Sequence, residues 1–271
     1  VISGCKDSKL KNYEVLGKTI EDKYIEVNGE KIDLDQLIEA WEKPLNNVFP
    51  VAKGSAEDYV ESKYIRNNVI RAKRQVAKPR VFIPIFTGSH GEYDMGKSFR
   101  KAGAEVEYFV FKTLKLKDID QSYKEMAMGI KNCQILALPN GAVLGNEPDG
   151  GGKLIANILK NQYVAEAIMD LLARDGLIIG IGNGFQGLLK SGLLQYGEIG
   201  ELDNKSLNII KNHLGHHIST MAKVEVISNL SPWFSNMKVG DQEILPLSTG
   251  EGKIVGDKET IEKLIKNGQI P

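Results

Sequence analysis

The chain has 271 residues, 42% of them apolar and 26% charged, with 35 basic residues balancing 35 acidic ones. That length can bury a substantial core and accommodates one large domain or two ordinary ones. Zero net charge argues against a general nucleic-acid binder, and no apolar run is long enough for a membrane-spanning helix. The opening stretch, Val1 to Leu10, is polar and lacks a secretion signal. A start on Val1 instead of Met reads as a piece of a longer protein. Two distant cysteines, Cys5 and Cys133, form neither a disulfide framework nor a zinc pattern. That pattern points to reduced thiols and to the cytoplasm.

Along the chain, Tyr24 to Val27 and Lys31 to Ile32 flank Asn28-Gly29, a two-residue hairpin signal. Leu34, Leu37, Ile38 and Trp41 have helical spacing, with Asp33 as the cap and Pro44 as the stop. Ser55 is expected to open a polar helix with Val60 and Tyr64 on its apolar face. The basic stretch from Arg66 to Arg80 reads as a solvated linker or as a docking face for an acidic neighbour. The division falls near Lys78-Pro79. Residues 1–78 form a small α+β segment, and residues 79–271 follow a strand–helix rhythm.

In that rhythm, Val81 to Phe86, Glu105 to Phe111, Gln134 to Leu138 and Leu177 to Ile181 are the expected strands, the first, third and fourth of them buried. Helices are expected at Tyr93 to Lys101, Tyr123 to Lys131, Lys153 to Leu159, Tyr163 to Arg174 and Phe185 to Lys190. The alternation predicts an α/β fold with a mostly parallel sheet flanked by helices. The tail adds β-like runs at Lys223 to Ile227 and Glu243 to Leu247, then a helix from Lys258 to Lys266 between Asp257 and Gly268. Ligands in such sheets bind at the carboxyl ends of the strands, so the loops after Phe86, Leu138 and Ile181 are where chemistry is expected.

The sharpest of these is Gly180-Ile181-Gly182-Asn183-Gly184-Phe185-Gln186. A buried strand runs straight into a tight turn and a helix start, the layout of a nucleophile elbow. The apex of such an elbow holds a strained backbone, and the amides at the helix start can stabilise an oxyanion.

These residues resemble the class I glutamine amidotransferases in their formylglycinamidine synthase branch, which carry Gly-Ile-Cys-Asn-Gly-Phe-Gln at the elbow. Thr87-Gly88-Ser89-His90-Gly91-Glu92-Tyr93-Asp94 is similar to that branch's Pro-Gly-Thr-Asn-Cys-Glu-Tyr-Asp. Pro139-Asn140-Gly141 stands where the branch has Pro-Gly-Gly, and Glu147-Pro148-Asp149-Gly150 looks like the long single-chain form. Asn229-Leu230-Ser231-Pro232-Trp233 and Ser248-Thr249-Gly250-Glu251-Gly252-Lys253 are similar to the segments around the branch's Ser-His-Gly-Glu-Gly-Arg. Ala40-Trp41-Glu42-Lys43-Pro44-Leu45 looks like the end of the synthase part. The chain thus resembles the C-terminal region of phosphoribosylformylglycinamidine synthases.

The resemblance implies a flavodoxin-like class I amidotransferase fold over residues 79–271, preceded by a piece of the synthase. It implies that the parent reaction belongs to purine biosynthesis and amidates formylglycinamide ribonucleotide with ATP and glutamine-derived ammonia. ATP and magnesium would act upstream of this chain, which itself needs no cofactor or metal. The partners implied are the synthase domains, with glutamine or another small metabolite as a further ligand.

Three positions carry the glutaminase chemistry in that family: a cysteine nucleophile, a histidine base and a glutamate that orients the histidine. Here they are Gly182, Thr249 and Glu251, so the first two functions are lost. Gly141 and Asn183 match the oxyanion amides, and Gln186 matches a substrate-holding glutamine. Gln186 also reads as a scaffold residue at a helix start. The implication is an inactive glutaminase site, with a small-metabolite binding or structural module as the alternative.

Other candidates carry less. His90 lies on a loop that can approach the site, although a lone loop histidine is ordinarily a surface residue. Cys133 reads as a buried small hydrophobe. His213, His216 and His217 have ligand-like helical spacing, but Gly215 interrupts it. Gly150-Gly151-Gly152-Lys153 lacks the spacing of a phosphate loop. Trp233 and Phe234 serve either an interface or the core.

Overall fold

The computed structural model describes residues 14–45, 63–65, 76–143, 152–212 and 216–270. Its contacts separate two units, Val1–Ala52 and Lys53–Pro271. In the first unit, β1 (Tyr24–Val27) pairs antiparallel with β2 (Glu30–Asp33). Asn28 and Gly29 both take positive φ, as the two central residues of a type I′ turn must. Asp33 caps α1 (Leu34–Glu42) by accepting from the Gln36 amide at 3.0 Å. Pro44 does not end the chain's turning at once, because Lys43–Leu45 tightens into a 3-10 turn.

The helix expected from Ser55 lies outside the described residues, as does most of the basic stretch that follows, apart from Tyr64. Tyr64 is not helical. It forms an isolated parallel bridge with Ser228, and its amide donates to the Ile227 carbonyl at 3.0 Å. A strand-like partner has claimed backbone groups that a helix would have used internally.

The second unit is built on four parallel strands. They are β3 (Arg80–Ile85), β4 (Glu105–Val110), β5 (Ile135–Leu138) and β6 (Leu177–Gly180), in the order β4-β3-β5-β6. This is the flavodoxin-like order, with its switch point between β3 and β5. Helices α2 (Glu92–Lys101), α3 (Leu116–Asn132), α4 (Lys153–Leu159) and α5 (Gln162–Ala173) make the crossovers. Helix α3 starts a full turn and more before the expected Tyr123. Ile119, Tyr123, Met126 and Ile130 form one continuous stripe against the core, extended by a first turn whose charged residues hid it.

Alternation along the strands feeds two cores. Phe82, Leu136 and Leu138 enter one with Met126, Ile130, Ile155, Ile168 and Leu171 from the helices. Val81, Ile83 and Ala137 enter the other with Met95 and Phe99 of α2. Burial on both faces explains why these strands read as unbroken apolar runs.

The remainder carries α6 (Asn183–Lys190), α7 (Leu193–Tyr196), β7 (Asn208–Ile210), β8 (Ile218–Glu225), β9 (Gln242–Thr249), β10 (Lys253–Val255) and α8 (Lys258–Lys266). Here the pairs β8–β9 and β7–β10 are antiparallel and stand outside the parallel sheet. Leu189, Leu207, Ile209, Ile261 and Leu264 join α6, β7 and α8 in a third cluster. Asp257 caps α8 through the Thr260 amide at 3.1 Å, and Gly268 follows it at φ +71°.

Trp233 belongs to the packing. Its indole N–H donates to the Ile178 carbonyl at 3.0 Å on edge strand β6, and its ring meets Phe99 edge-on at 6.3 Å. Trp233→Phe keeps most of the ring but removes the donor. We expect it to lower unfolding stability by about 1–3 kcal/mol, read from urea denaturation. No change in the midpoint would show that the bond contributes nothing.

Candidate functional site

Three loops meet at the carboxyl end of the sheet. Those after β3 and β5 flank the switch point, and they are laced together. Ser89 and Gly141 form an antiparallel bridge, with His90 N–H donating to Asn140 O at 3.2 Å and Ala142 N–H to Gly88 O at 2.9 Å. Because the flanking residues make those two bonds, the Gly141 amide is not used by the bridge.

The third loop is the elbow. Ile181 extends β6 by donating to Leu138 O at 3.1 Å, and Asn183 already begins α6. Gly182 absorbs the reversal at φ +55°, ψ −116°, outside the regions that side-chain-bearing residues ordinarily occupy. The neighbouring glycines permit the approach of helix to strand. A Cβ on Gly184 would lie 2.2 Å from Leu138 O, and one on Gly180 would lie 2.6 Å from the Gly184 carbonyl carbon. Gly184 is therefore required by packing alone.

The space above the elbow apex is occupied. A Cβ on Gly182 would stand 2.9 Å from the Asn140 Cβ, and one on Gly91 would fall 1.4 Å from the Asn140 Oδ1. The Asn140 side chain thus runs from the elbow to the start of α2. Neither glycine tolerates a side chain while Asn140 stays there. Its importance was signalled in the sequence by an asparagine where the similar loop has glycine, but its position above the elbow was not.

Asn183 and Gln186 are both buried and bonded to each other, Asn183 Nδ2 donating to Gln186 Oε1 at 2.6 Å. Asn183 Oδ1 accepts from the Val143 amide at 3.0 Å, which ties the elbow to the loop after β5. Gly141, Asn183, Gln186 and Gly182 are thereby brought into one connected cluster with Asn140. The backbone of Asn183 sits at the positive end of the α6 dipole, which favours a negative charge there.

Thr249 and Glu251 sit on the turn between β9 and β10. The Thr249 hydroxyl donates to Glu251 O at 2.8 Å and accepts from Glu251 N at 3.1 Å, so both of its roles are engaged within its own turn. Glu251 is buried. Asn212, which the sequence did not single out, clamps the same turn. Its Nδ2 donates to Thr249 O at 2.8 Å, and its Oδ1 accepts from Gly252 N at 2.9 Å. β10 pairs with β7, and β7 packs on α6, so this turn is linked to the elbow helix through one intervening strand.

His90 is exposed and joins the cluster through its backbone. His213 lies outside the described residues. His216 and His217 are not helical: the His216 Nδ1 meets the His217 carbonyl at 2.8 Å and the His217 Nε2 meets Ser248 Oγ at 3.0 Å. The helical spacing that suggested ligands therefore does not apply to that pair, which leads into β8. Of the Gly150 to Lys153 run, Gly152 and Lys153 are described. Gly152 takes φ +87° and packs against the α6 backbone, where a Cβ would meet Gly187 N at 2.6 Å.

A family model for CobB/CobQ-like glutamine amidotransferase domains matches residues 78–271. The phosphoribosylformylglycinamidine synthase subunit PurQ of Treponema denticola is 29% identical over 202 residues, covering 71% of this chain and 70% of that protein. The same subunit from Lacticaseibacillus casei is 30% identical over 188 residues, 68% of each. Among solved structures, that of PurLQS from Thermotoga maritima aligns with a TM-score of 0.49 at 24% identity, over 67% of this chain and 71% of that one.

Cys133 is 2% exposed, its thiol donates to Ile130 O at 3.3 Å, and burial pushes its pKa up to about 11. A nucleophile needs the thiolate, so this group is inert near neutral pH. In a Cys5→Ser variant, the remaining thiol should react with a disulfide reagent at pH 8 only under denaturing conditions. Rapid labelling of the folded protein would show that Cys133 is accessible.

Proposed function

Because the chain belongs to the CobB/CobQ-like glutamine amidotransferase family, we propose that it is the amidotransferase-type region of a phosphoribosylformylglycinamidine synthase whose own glutaminase site does not react. Residues 79–271 are the amidotransferase-type domain, and residues 1–78 are the end of the synthase part with a linker. The names of the curated relatives support the parentage, since each is a subunit of that synthase. ATP and magnesium belong to the synthase part, which is also the domain's partner.

The observation that carries the inactivity is the occupied elbow. Hydrolysis of a glutamine amide requires a nucleophile at the apex to attack the carbonyl carbon, with a base to take its proton. Gly182 supplies no side-chain atom, and the Asn140 side chain takes the space where one would project. Thr249 stands at the base position, and its hydroxyl is committed to Glu251 backbone groups. A hydroxyl of ordinary pKa accepts no proton near neutral pH. Loss of the central members of such a constellation lowers rates about a millionfold. What remains is geometry: the amides of Gly141 and Asn183 and the buried Gln186 keep the outline of an oxyanion site. A domain of this kind stabilises the synthase and leaves it dependent on free ammonia.

Two measurements test this reading. The purified protein should release glutamate from glutamine no faster than a Glu251→Ala control. Turnover clearly above that control would overturn the proposal. The occupied elbow also predicts thermodynamic coupling between Asn140 and Gly182. Gly182→Cys alone should destabilise the protein by about 1–3 kcal/mol, from backbone strain together with the contact to Asn140. In the Asn140→Gly background, the same change should destabilise it less. Strict additivity in urea denaturation would show that Asn140 does not occupy the site.

A further inference from the structure

The two most exposed large apolar side chains among the described residues stand two positions apart on one loop. Leu114 is 94% exposed and Leu116 is 86% exposed. They belong to the connection from β4 to α3, in the run Lys112-Thr113-Leu114-Lys115-Leu116-Lys117. Scattered single leucines on a surface need no explanation, whereas adjacent bared leucines set among lysines have the make-up of a contact surface.

The loop is anchored at both ends. Before it, Phe111 is buried and meets the Tyr123 ring edge-on at 5.1 Å. The Lys112 amide donates to the Ser122 hydroxyl oxygen at 3.1 Å. After it, the Lys115 carbonyl accepts from the Asp118 amide at 2.9 Å and from the Ile119 amide at 3.0 Å. The leucines are thus held out on a fixed backbone, which lowers the ordering cost of covering them.

The charges run against the local rule. Lys115 occupies the N-cap of α3 without a side-chain cap bond, and Lys117 follows in the first turn. An ammonium group cannot accept from the orphan amides, and positive charge is disfavoured at this end of a helix. Among the described residues, none pairs ionically with Lys112, Lys115 or Lys117, the neighbouring Asp118 included. Local rules broken without local compensation mark residues that serve something else. Position narrows what that is. The Thr113 hydroxyl lies 3.4 Å from that of Thr87 on the loop after β3, so this loop shares the carboxyl end of the sheet with the elbow cluster.

We propose that the loop from Lys112 to Lys117 docks on an acidic surface of the synthase part, Leu114 and Leu116 entering an apolar groove and the three lysines facing carboxylates along its rim. This rests on the parentage proposed above. A domain without a reaction of its own still contributes through contact, and three unpaired ammonium groups select a partner of opposite charge. Anionic lipid would also attract such a loop, but its place beside the elbow cluster favours the protein that an amidotransferase-type domain serves.

Maleimide labelling of a Leu114→Cys variant tests this. Its rate is compared between the purified 271-residue chain and the assembled synthase. We expect assembly to slow labelling by about tenfold or more, since thiol reactivity follows access. Met128→Cys, at a residue 64% exposed and about three turns further along α3, should label equally in both. Equal rates at position 114, in an assembly that amidates its substrate with ammonium, would overturn the docking. So would equal slowing at position 128, which would show general shielding. Absence of that ammonium-dependent activity would instead overturn the parentage, and the docking with it. Adding Lys115→Glu/Lys117→Glu should remove the protection at position 114, and retained protection would overturn the acidic partner. Because carboxylates suit the start of a helix, the same double change should raise the urea midpoint of the purified chain. A lower midpoint would show that the lysines serve the fold. Sedimentation of the chain with phosphatidylcholine–phosphatidylserine vesicles, lost in the double variant, would overturn the proposal in favour of a membrane surface.

Discussion

The close contact between β6 and α6 governs the rest of the site. Helix α6 lies so close to β5 and β6 that a Cβ on Gly184 would stand 2.2 Å from Leu138 O of β5 and one on Gly180 would stand 2.6 Å from the Gly184 carbonyl carbon. No residue larger than glycine fits at either place, and the connection left between them must reverse within two residues. That requirement drives Gly182 to φ +55°. In a glutaminase, such a turn serves to project a nucleophile. Here Gly182 stands at the apex with no side chain to project, so on the proposed reading the architectural reason for the elbow stands apart from the chemical one.

Once the turn is fixed, its neighbours follow. The buried Asn183 side chain accepts from the Val143 amide, which joins the elbow to the loop after β5. That loop is bridged to the loop after β3 through Ser89 and Gly141. Asn140 lies at the junction, between Gly182 and Gly91. Three loops of separate origin are thus held as one body. Gly182 carries no side chain, and the Asn140 side chain occupies the space a Cβ there would enter. The turn bearing Thr249 is likewise held locally, its hydroxyl bonded to the Glu251 backbone.

Much of this was legible in the sequence, for physical reasons. Val81 to Phe86 is buried on both faces of the sheet, and Leu177 to Ile181 sends Ile178 and Ile179 to opposite cores, so both appear as apolar runs. Asn28-Gly29, Asp33 and Asp257 act through turn and cap chemistry within a few residues, which local sequence encodes. The first turns of α3 were missed because Lys115, Lys117 and Asp118 interrupt the apolar stripe. Strands β7 and β10 span three residues each and exist through their mutual pairing, which no local pattern announces. Asn140 illustrates the deeper limit. Its departure from glycine is visible, but its contacts with Gly91 and Gly182 come from an approach of loops about forty residues apart or more.

The central claim is that this domain keeps the shape of a glutaminase without its reaction. The most direct measurement follows the amide nitrogen in the assembled synthase. The enzyme would be supplied with glutamine labelled with ¹⁵N in its side-chain amide together with unlabelled ammonium, and the amidated product weighed by mass spectrometry. The account predicts that the new nitrogen is unlabelled and that product formation stops when ammonium is withdrawn. Label passing from glutamine into the product, with this domain as the amidotransferase present, would contradict it.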